Sequence, residues 1–340
     1  MTVTIKDVAK KAKVSAATVS LVLNKNKRIS SETRDRVLKA VKALDYHRSR
    51  SARDLVSKQS GNIGFILTDD HFSRSEPFYT RIFLGTEFQA RDNEFYVLLT
   101  TISSNYRSDD PLPRFVLEKN VEGIILAGKL PQSFIENLKR HSIPLIFVDF
   151  YPSEGNYPVV MSDNISGGYQ ATEHLINCGH RNIAFVNGDR AHPSINERLM
   201  GYKMALEKSG IMLKIPPPIV YESSTDRISG FRAAETLLKN NPDITAIFAC
   251  NDAMAIGILQ FLKQRGLKVP KDISLIGFDD VEADLSLDPP LTTMRVNKEE
   301  MGVQAMKQLV EIIQNRSTIP RKTLVPVELV IRGSTCKISR

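Results

Sequence analysis

Residues 3–24 read VTIKDVAKKAKVSAATVSLVLN, and their apolar positions fit two short helices separated by a tight turn. Thr4 is placed to cap the first helix, with Asp7 three residues further on. Apolar residues then recur from Ile5 to Ala12 at the spacing of one helix face. Two short helices joined in this way predict a helix-turn-helix module at the amino-terminal end of the sequence.

The second helix is predicted to begin after Ser15, whose hydroxyl can cap it. Its pattern turns Val19 and Val22 toward a common core. A third helix starts near Ser30 and repeats apolar residues on one side, with arginines and lysines on the others. Because this third helix can brace the first two, residues 1–47 are predicted to form an all-α headpiece.

Positive charge is concentrated in the same part of the chain. The 340 residues carry a net charge of +8, whereas residues 1–60 hold 15 Lys/Arg and 5 Asp/Glu, a net of +10. The rest of the chain is therefore slightly acidic. A compact basic module suits a phosphate backbone better than it suits bulk solvent, so the headpiece is predicted to bind nucleic acid.

From Gly61 onward, short apolar runs alternate with longer helical patterns, which is typical of an α/β fold. The apolar runs fall into two series and read as buried strands: 62–67, 95–99, 123–126 and 144–148, then 182–186, 244–248 and 273–277. Intervening helices require parallel, doubly wound sheets. Two such series predict two lobes, with a ligand cleft at the carboxyl ends of the strands.

Several functional classes lack support in the sequence. Cys178, Cys250 and Cys336 lie far apart without metal spacing, which favours reduced, buried thiols. His174 and His180 are six residues apart, on different helix faces, so no metal site is expected. There is no apolar run long enough for a membrane span and no signal-like start, which predicts a cytoplasmic protein. Phosphate-loop, dinucleotide-binding and serine-hydrolase motifs are missing, so neither a cofactor nor an enzyme activity is expected.

Residues 3–24, followed by Arg34-x-x-Val37 and Ala43-Leu-Asp-Tyr46, closely resemble the headpiece of the LacI/GalR (lactose-repressor) family of bacterial transcriptional regulators. Further stretches resemble family landmarks across the remaining chain, among them Ile276-Gly-Phe-Asp-Asp280 and Pro289-Pro-Leu-Thr-Thr293. The resemblance implies a helix-turn-helix headpiece joined to a two-lobed core like that of periplasmic sugar-binding proteins.

The resemblance also implies domain boundaries. It places the headpiece at 1–47, a hinge at 48–59 and an effector-binding, dimerising core at 60–340. Three chain crossings between the lobes are expected near 160, 290 and 322. The amino-terminal lobe would then comprise 60–160 and 291–321, and the carboxyl-terminal lobe 161–290 and 322–340.

In the family, the second helix enters the major groove, and the matching positions here imply a set of DNA contacts. Ala16, Ala17 and Leu21 would touch base edges, where apolar side chains can pack against thymine methyl groups. Backbone contacts would come from polar side chains: Thr4, Ser15, Thr18, Ser20 and Asn24. Ser15 can serve as a helix cap with or without such a contact, and Leu21 as a merely exposed helix former.

The stretch from Arg48 to Lys58 resembles the family's hinge segment, a short helix that orders on operator DNA and inserts a leucine into the minor groove. Leu55 fits that wedge, and Arg50 and Arg53 suit the flanking phosphates. The chain has Arg48-Ser49 where the family often has Pro-Asn, so the hinge can begin differently. A plain flexible linker is the alternative.

The positions that match family effector contacts are Phe78, Asp149, Arg198, Asn251 and Asp279. Carboxylates and a guanidinium at one cleft can bind several hydroxyls of a sugar together. Simpler roles are a helix cap for Asn251, a strand-end turn for Asp279, and an Asp149–Arg198 ion pair.

Two departures from the family concern the ligand. Thr225 stands where an aromatic residue often stacks on the effector, and Lys298 stands where some relatives have an aromatic residue. Both substitutions leave room for a charged or phosphorylated ligand.

The family pattern therefore predicts a homodimeric repressor that binds a pseudo-palindromic double-stranded DNA operator under the control of a small carbohydrate effector. The alternative is a catabolite-control regulator whose main co-effector is a phosphocarrier protein. A cytosolic enzyme with an incidental basic head is a further alternative.

Overall fold

The computed structural model describes residues 3–23, 29–46, 60–72, 77–211, 217–314 and 319–338. The chain divides into two compact units, Met1–Ser60 and Gly61–Arg340. In the described ranges, no helix has both the length and the apolar character that crossing a bilayer requires.

The first unit contains the three predicted headpiece helices, α1 (Ile5–Ala12), α2 (Ala16–Leu23) and α3 (Ser31–Ala43). One valine from each helix, Val8, Val19 and Val37, is completely buried. Smaller alanines complete this cluster, so the three helices share one core. A core of this size follows directly from the apolar spacing in the sequence.

The predicted caps are confirmed. The backbone N and the hydroxyl of Thr4 donate to Asp7 Oδ2 at 2.9 Å and 2.7 Å. At the start of α2, Ser15 Oγ accepts a hydrogen bond of 3.0 Å from Thr18 N. These contacts satisfy polar groups that a helix end leaves without intrahelical partners, and they fix where α1 and α2 begin.

The first lobe of the core contains a parallel six-stranded sheet with the order β11-β5-β4-β3-β1-β2. Its strands are β1 (Asn62–Thr68), β2 (Tyr96–Ile102), β3 (Gly123–Ala127), β4 (Leu145–Val148), β5 (Val159–Ser162) and β11 (Lys322–Val325). The helices of this lobe are α4 (Asp69–Phe72), α5 (Phe78–Asp92), α6 (Arg114–Leu117), α7 (Gln132–Lys139) and α12 (Lys298–Ile313). Every residue of β1 and β3 is buried, as expected for parallel strands covered on both faces.

The second lobe contains a parallel four-stranded sheet with the order β7-β6-β8-β9. Its strands are β6 (Ile183–Asn187), β7 (Ile219–Tyr221), β8 (Ala246–Ala249) and β9 (Ser274–Ile276). Its helices are α8 (Asn164–Asn177), α9 (Pro193–Lys208), α10 (Arg227–Asn240) and α11 (Asp252–Gln264), with a short 3-10 helix at Glu282–Ser286. The antiparallel pair β10 (Thr293–Val296) and β12 (Val327–Val330) forms a separate two-stranded sheet. The two doubly wound lobes confirm the predicted fold class.

The chain crossings differ by a few residues from the predicted positions near 160, 290 and 322. Strands β5 and β11 both pair within the first-lobe sheet, so the outer crossings follow Ser162 and Val325. The middle crossing follows Val296, because β10 pairs with β12 and α12 then packs on the first lobe. Pro326 separates β11 from β12, and since proline has no N–H to donate, the chain changes its pairing partner there.

Two glycines set the position of α9 relative to α8. A Cβ added to Gly168 would lie 2.2 Å from Arg198 O, and one added to Gly201 would lie 2.1 Å from Ile165 O. No side chain fits at either distance, so the helices touch through their backbones. This close approach holds the first half of α9, including Arg198, against the crossing between the lobes.

Candidate functional site: a headpiece helix and an interlobe cleft

Helix α2 presents an uncharged outer surface. Ala17 is exposed, the side chain of Leu21 is exposed with the residue 41% accessible, and Ser20 is half-buried at the edge of this surface. Ala16, which was predicted to face outward, is half-buried and packs against the headpiece core, because it lies in the first turn beside the α1–α2 junction. Helix α2 contains no ionisable residue.

The polar residues predicted to contact the DNA backbone lie at helix starts. Thr4 and Ser15 are exposed N-terminal caps. Ser15 Oγ also lies 2.9 Å from Thr18 Oγ1, so two hydroxyls cluster at the start of α2. The positive end of a helix dipole with exposed hydroxyls is a favourable place for a phosphate oxygen. The other predicted contacts, Asn24, Arg50, Arg53 and Leu55, lie outside the described residues.

A cavity of about 940 Å³ separates the two lobes of the core. It is bordered by the carboxyl ends of strands from both sheets, where open α/β sheets bind ligands. All five residues predicted to contact an effector line it: Phe78, Asp149, Arg198, Asn251 and Asp279. Phe78 begins α5, Arg198 lies on α9, and the other three follow strand ends. Their role in binding stays a prediction.

Arg198 is held in place from several sides. Its Nε donates to Asn164 Oδ1 at 2.9 Å, and its Nη1 donates to Cys250 O at 2.7 Å. The guanidinium carbon lies 3.8 Å from the centroid of the Phe278 ring. Only 4% of the residue is exposed. A planar, immobilised guanidinium of this kind presents its remaining N–H groups in a fixed direction.

Asp279 is the acidic partner of Arg198. Its Oδ1 lies 3.3 Å from Arg198 Nη2, within ion-pair range but outside hydrogen-bonding geometry. Burial raises the pKa of Asp279 to about 7, although the Arg198 charge opposes this shift. Its φ of 126° is in a region that non-glycine residues rarely adopt. A buried acid in a strained backbone at a cleft is a frequent mark of a binding residue.

Asp149 has partners of its own. Its two carboxylate oxygens accept hydrogen bonds from Tyr79 Oη at 2.9 Å and from Ser194 Oγ at 2.7 Å. Ser194 lies in the first turn of the second-lobe helix α9, so this bond crosses between the lobes. The alternative of a direct Asp149–Arg198 ion pair is therefore wrong, because each side chain already has different partners.

Asn251 does cap the helix that follows it. Its Oδ1 accepts a 2.9 Å hydrogen bond from Met254 N, and its Nδ2 donates to Thr225 O at 3.0 Å. The capping alternative is thus confirmed, while the residue still borders the cavity. Thr225, in the expected place of an aromatic residue, is buried at the same wall.

Lys298 does not project a free charge into the cavity. Its Nζ donates to the carbonyl oxygens of Asp279 and Asp280, the latter at 3.1 Å, and lies 5.7 Å from the centroid of the Phe78 ring. Lys298 thereby joins α12 of the first lobe to the strand-end loop of the second.

Further cavity residues were not singled out from the sequence. Lys129, after β3, donates to Asp189, after β6, and this ion pair spans the two lobes. Burial opposes a low pKa for Asp189, but the hydrogen bond from Lys129 lowers it nonetheless. His192, also after β6, is buried against Phe150, and this burial lowers its pKa and favours a neutral ring. The signal available in the sequence was their place just after buried strands.

The two histidines considered for metal binding have structural partners. His174 Nε2 lies 2.9 Å from Thr335 Oγ1, whereas His180 Nε2 lies 3.0 Å from Ser274 Oγ. Among the residues that the structure describes, no group of three or more His, Cys, Asp or Glu side chains is placed to hold a metal ion.

Two family models match the chain in separate segments. Residues 4–49 match the model described as bacterial regulatory proteins, lacI family. Residues 60–333 match the model described as periplasmic binding proteins and sugar binding domain of LacI family. Together these segments contain the headpiece helices and nearly all of the two-lobed core.

Individual relatives match the chain over nearly their full lengths and support the same family. The chain is 31% identical to a ribose operon repressor of Haemophilus influenzae, over 97% of this chain and 98% of the relative. It resembles the lac repressor dimer bound to operator and the anti-inducer ONPF, with a TM-score of 0.80, 27% identity and coverage of 99% and 100%. It also resembles the complex of the transcriptional regulator CelR with cellobiose, with a TM-score of 0.75, 29% identity and coverage of 98% and 99%. The chain therefore belongs to the lacI family of bacterial regulatory proteins.

Proposed function

We propose that the protein is a homodimeric transcriptional repressor that binds a pseudo-palindromic DNA operator. A small carbohydrate in the interlobe cleft changes the affinity of the repressor for this operator. The observation that carries this proposal is the pairing of two features in one chain. A basic headpiece exposes an uncharged helix, and a two-lobed core encloses a cavity lined by ion-paired side chains together with apolar surface. Repressor relatives match both features over their full lengths.

On the DNA side, α2 is the base-reading helix. Ala17 and Leu21 present apolar surface to thymine methyl groups, while the half-buried Ala16 packs against the headpiece core. Ser15 and Thr18 bind backbone oxygens at the start of the helix and fix its register. One headpiece per subunit matches one half-site, since a dimer with two-fold symmetry requires an operator with the same symmetry.

On the ligand side, the cleft contains mainly neutralised charge. Arg198 faces Asp279 and Lys129 faces Asp189, while Arg190, Asp70 and Asp149 also line the wall, so cations and carboxylates nearly balance and the net charge is small. Such a set suits a neutral ligand with several hydroxyl groups better than a phosphate ester. The solved CelR relative holds cellobiose, which is a ligand of this chemical class.

Cleft and headpiece are coupled through the motion of the lobes. The Asp149–Ser194 and Lys129–Asp189 contacts join the lobes across the cavity, so a ligand that rearranges them changes the angle between the lobes. DNA and ligand then alter each other's affinity by a single coupling free energy, typically about 1–3 kcal/mol.

We assign no catalytic role to the chain and place it in the cytoplasm, where its operator is. The relatives named above are regulators of transcription, and this assignment follows theirs. A truncation that removes residues 1–60 checks it, because a regulator loses its only output whereas an enzyme keeps its activity.

The proposal is tested by isothermal titration of the full-length protein with ribose, with cellobiose and with a phosphocarrier protein as separate titrants. The same titrants are then added to protein bound to its selected operator. We expect a sugar to bind and to shift operator affinity. Binding of the carrier protein alone, without any sugar response, would favour the catabolite-control alternative.

The hinge is tested by Leu55→Ala in the full-length protein. If Leu55 is inserted between base pairs, operator affinity falls while ligand affinity of the isolated core stays the same. An unchanged footprint on the operator would show that residues 48–59 act only as a linker.

A further inference from the structure

The headpiece has a second notable surface, on the side formed by α1 and α3. A hollow of about 420 Å³ opens there, with the small residues Ala12 and Ala40 as its floor. Four cationic side chains surround it: Lys11, Lys13, Arg36 and Lys39. No acidic side chain lines this basic hollow among the described residues.

The four charges have no partners within the described part of the chain. None of their side chains makes an ion pair or hydrogen bond there, whereas Arg198 and Lys129 in the core are both paired with carboxylates. All four cationic residues are exposed. Like charges held around one hollow repel each other, and a bound polyanion relieves that repulsion. The hollow therefore favours an anionic partner.

Lys13 is the least expected member of the group. It ends α1 with φ 52° and ψ 49°, the left-handed conformation in which glycine is usual because any Cβ is disfavoured. A lysine at this position weakens the cap and adds a cation to the basic hollow.

The basic hollow is linked to the proposed DNA-reading helix through Lys13. Lys13 lies two residues before Ser15, the cap of α2, while α2 itself has no charged side chain. The cations that attract the duplex backbone toward α2 must therefore lie on neighbouring elements. We propose that Lys11, Lys13, Arg36 and Lys39 hold phosphates of the operator strand that passes the start of α2, as a sequence-independent clamp. This proposal rests on the proposed function and adds the residues that anchor it.

The test measures how operator affinity of the full-length protein depends on salt. Each phosphate contact contributes about 0.9 to the slope of log affinity against log salt concentration. We expect Lys13→Gly to reduce the magnitude of that slope by about one, and Lys11→Ala combined with Lys39→Ala by about two. Operator and random duplex should weaken by similar factors, because a phosphate contact carries no sequence information.

Lys13→Gly also separates binding from folding. Glycine relieves the left-handed backbone, so the headpiece should become no less stable in thermal unfolding while its duplex affinity falls. A residue with only a structural role would move stability and affinity in the same direction. Lys307→Ala is the matched control, since it removes one exposed positive charge from α12 of the core and should leave the slope unchanged.

Two results would overturn the clamp. If wild-type protein prefers its operator but the three lysine substitutions leave the salt slope unchanged, the clamp is wrong and the proposed function stands. If wild-type protein binds no duplex at all, the clamp and the proposed function fail together.

Discussion

The headpiece and the interlobe cleft use the same ionisable residue types in opposite ways. Around the basic hollow of the headpiece, four cationic side chains are exposed and unpaired within the described chain. In the cleft, Arg198 and Lys129 are each paired with a carboxylate, and Arg198 is almost completely buried. The headpiece keeps the charge of these four side chains available, whereas the cleft neutralises the charge of Arg198 and Lys129 in ion pairs.

The difference follows from the partners that the two regions are built to bind. A duplex is a polyanion, and unpaired cations attract it from a distance while salt weakens that attraction. A sugar is neutral and is recognised at short range by fixed donors and acceptors, which buried ion pairs hold in place. Substitutions in the cleft should therefore change stability strongly, whereas substitutions in the headpiece should change DNA affinity with smaller effects on stability.

The largest expected effect is for Arg198→Ala. This change leaves the buried Asp279 without its partner and deprives Asn164 and Cys250 of a donor. Removing one member of a buried pair costs about 3–5 kcal/mol, so the free energy of unfolding of the core should fall by an amount of this order. Urea denaturation of the isolated core measures it.

The matched control is Arg265→Ala, which removes an exposed arginine that pairs with the equally exposed Glu235 on the surface of the same lobe. Surface pairs contribute little, so its unfolding curve should stay close to wild type. Equal losses in the two variants would contradict the contrast between buried and exposed charge.

A second effect is the pH dependence of core stability. Because the pKa of Asp279 is raised to about 7, the folded core takes up a proton that the unfolded chain releases near pH 4. The contribution of Asp279 to the free energy of unfolding is therefore largest at low pH. It falls as the pH rises toward 7, by up to about 1.4 kcal/mol per pH unit. The free energy of unfolding of wild type, minus that of Asp279→Asn, should therefore decrease between pH 4 and 7.

Taking the difference between the two proteins reduces the contributions of Asp252 and Asp284, two further acids whose pKa values burial raises, and leaves the interaction of Asp279 with Asp252 in the measured value. A difference that is flat over this range would show that Asp279 is ionised throughout and that the Arg198 charge outweighs burial.

A smaller effect is expected at Ser15, where capping and phosphate binding can be separated. Ser15→Ala removes the cap of α2 and should destabilise the headpiece by about 0.5–2 kcal/mol. Ser15→Asp keeps a capping oxygen but adds a negative charge, so stability should be retained while DNA affinity falls. Thermal unfolding and operator titration of the two variants distinguish the roles. Retained operator affinity in Ser15→Asp would identify Ser15 as a cap only.

The headpiece could be predicted from the sequence almost residue by residue, because its structure is local. Helix spacing placed the buried valines, and capping residues placed the starts of α1 and α2. The strands of the core that are continuous apolar runs, such as β1 and β3, were also predicted. Family resemblance then identified five positions that the fold brings to one cavity.

The rest depends on contacts between distant parts of the chain. Strands β5 and β11 are each four residues long and pair with each other, so neither pattern alone assigns them to the first lobe. The Lys129–Asp189 pair joins two loops that are 60 residues apart. The left-handed Lys13 and the unpaired state of its neighbours depend on backbone geometry and on the placement of α3.

The most direct measurement is selection of duplexes by the full-length protein from a randomised pool, followed by sequencing. We predict enrichment of a two-fold symmetric site whose half-sites are about one helical turn apart, and its loss in a variant lacking residues 1–60. If no duplex is enriched over random competitor, with or without ribose or cellobiose, the proposed function is contradicted.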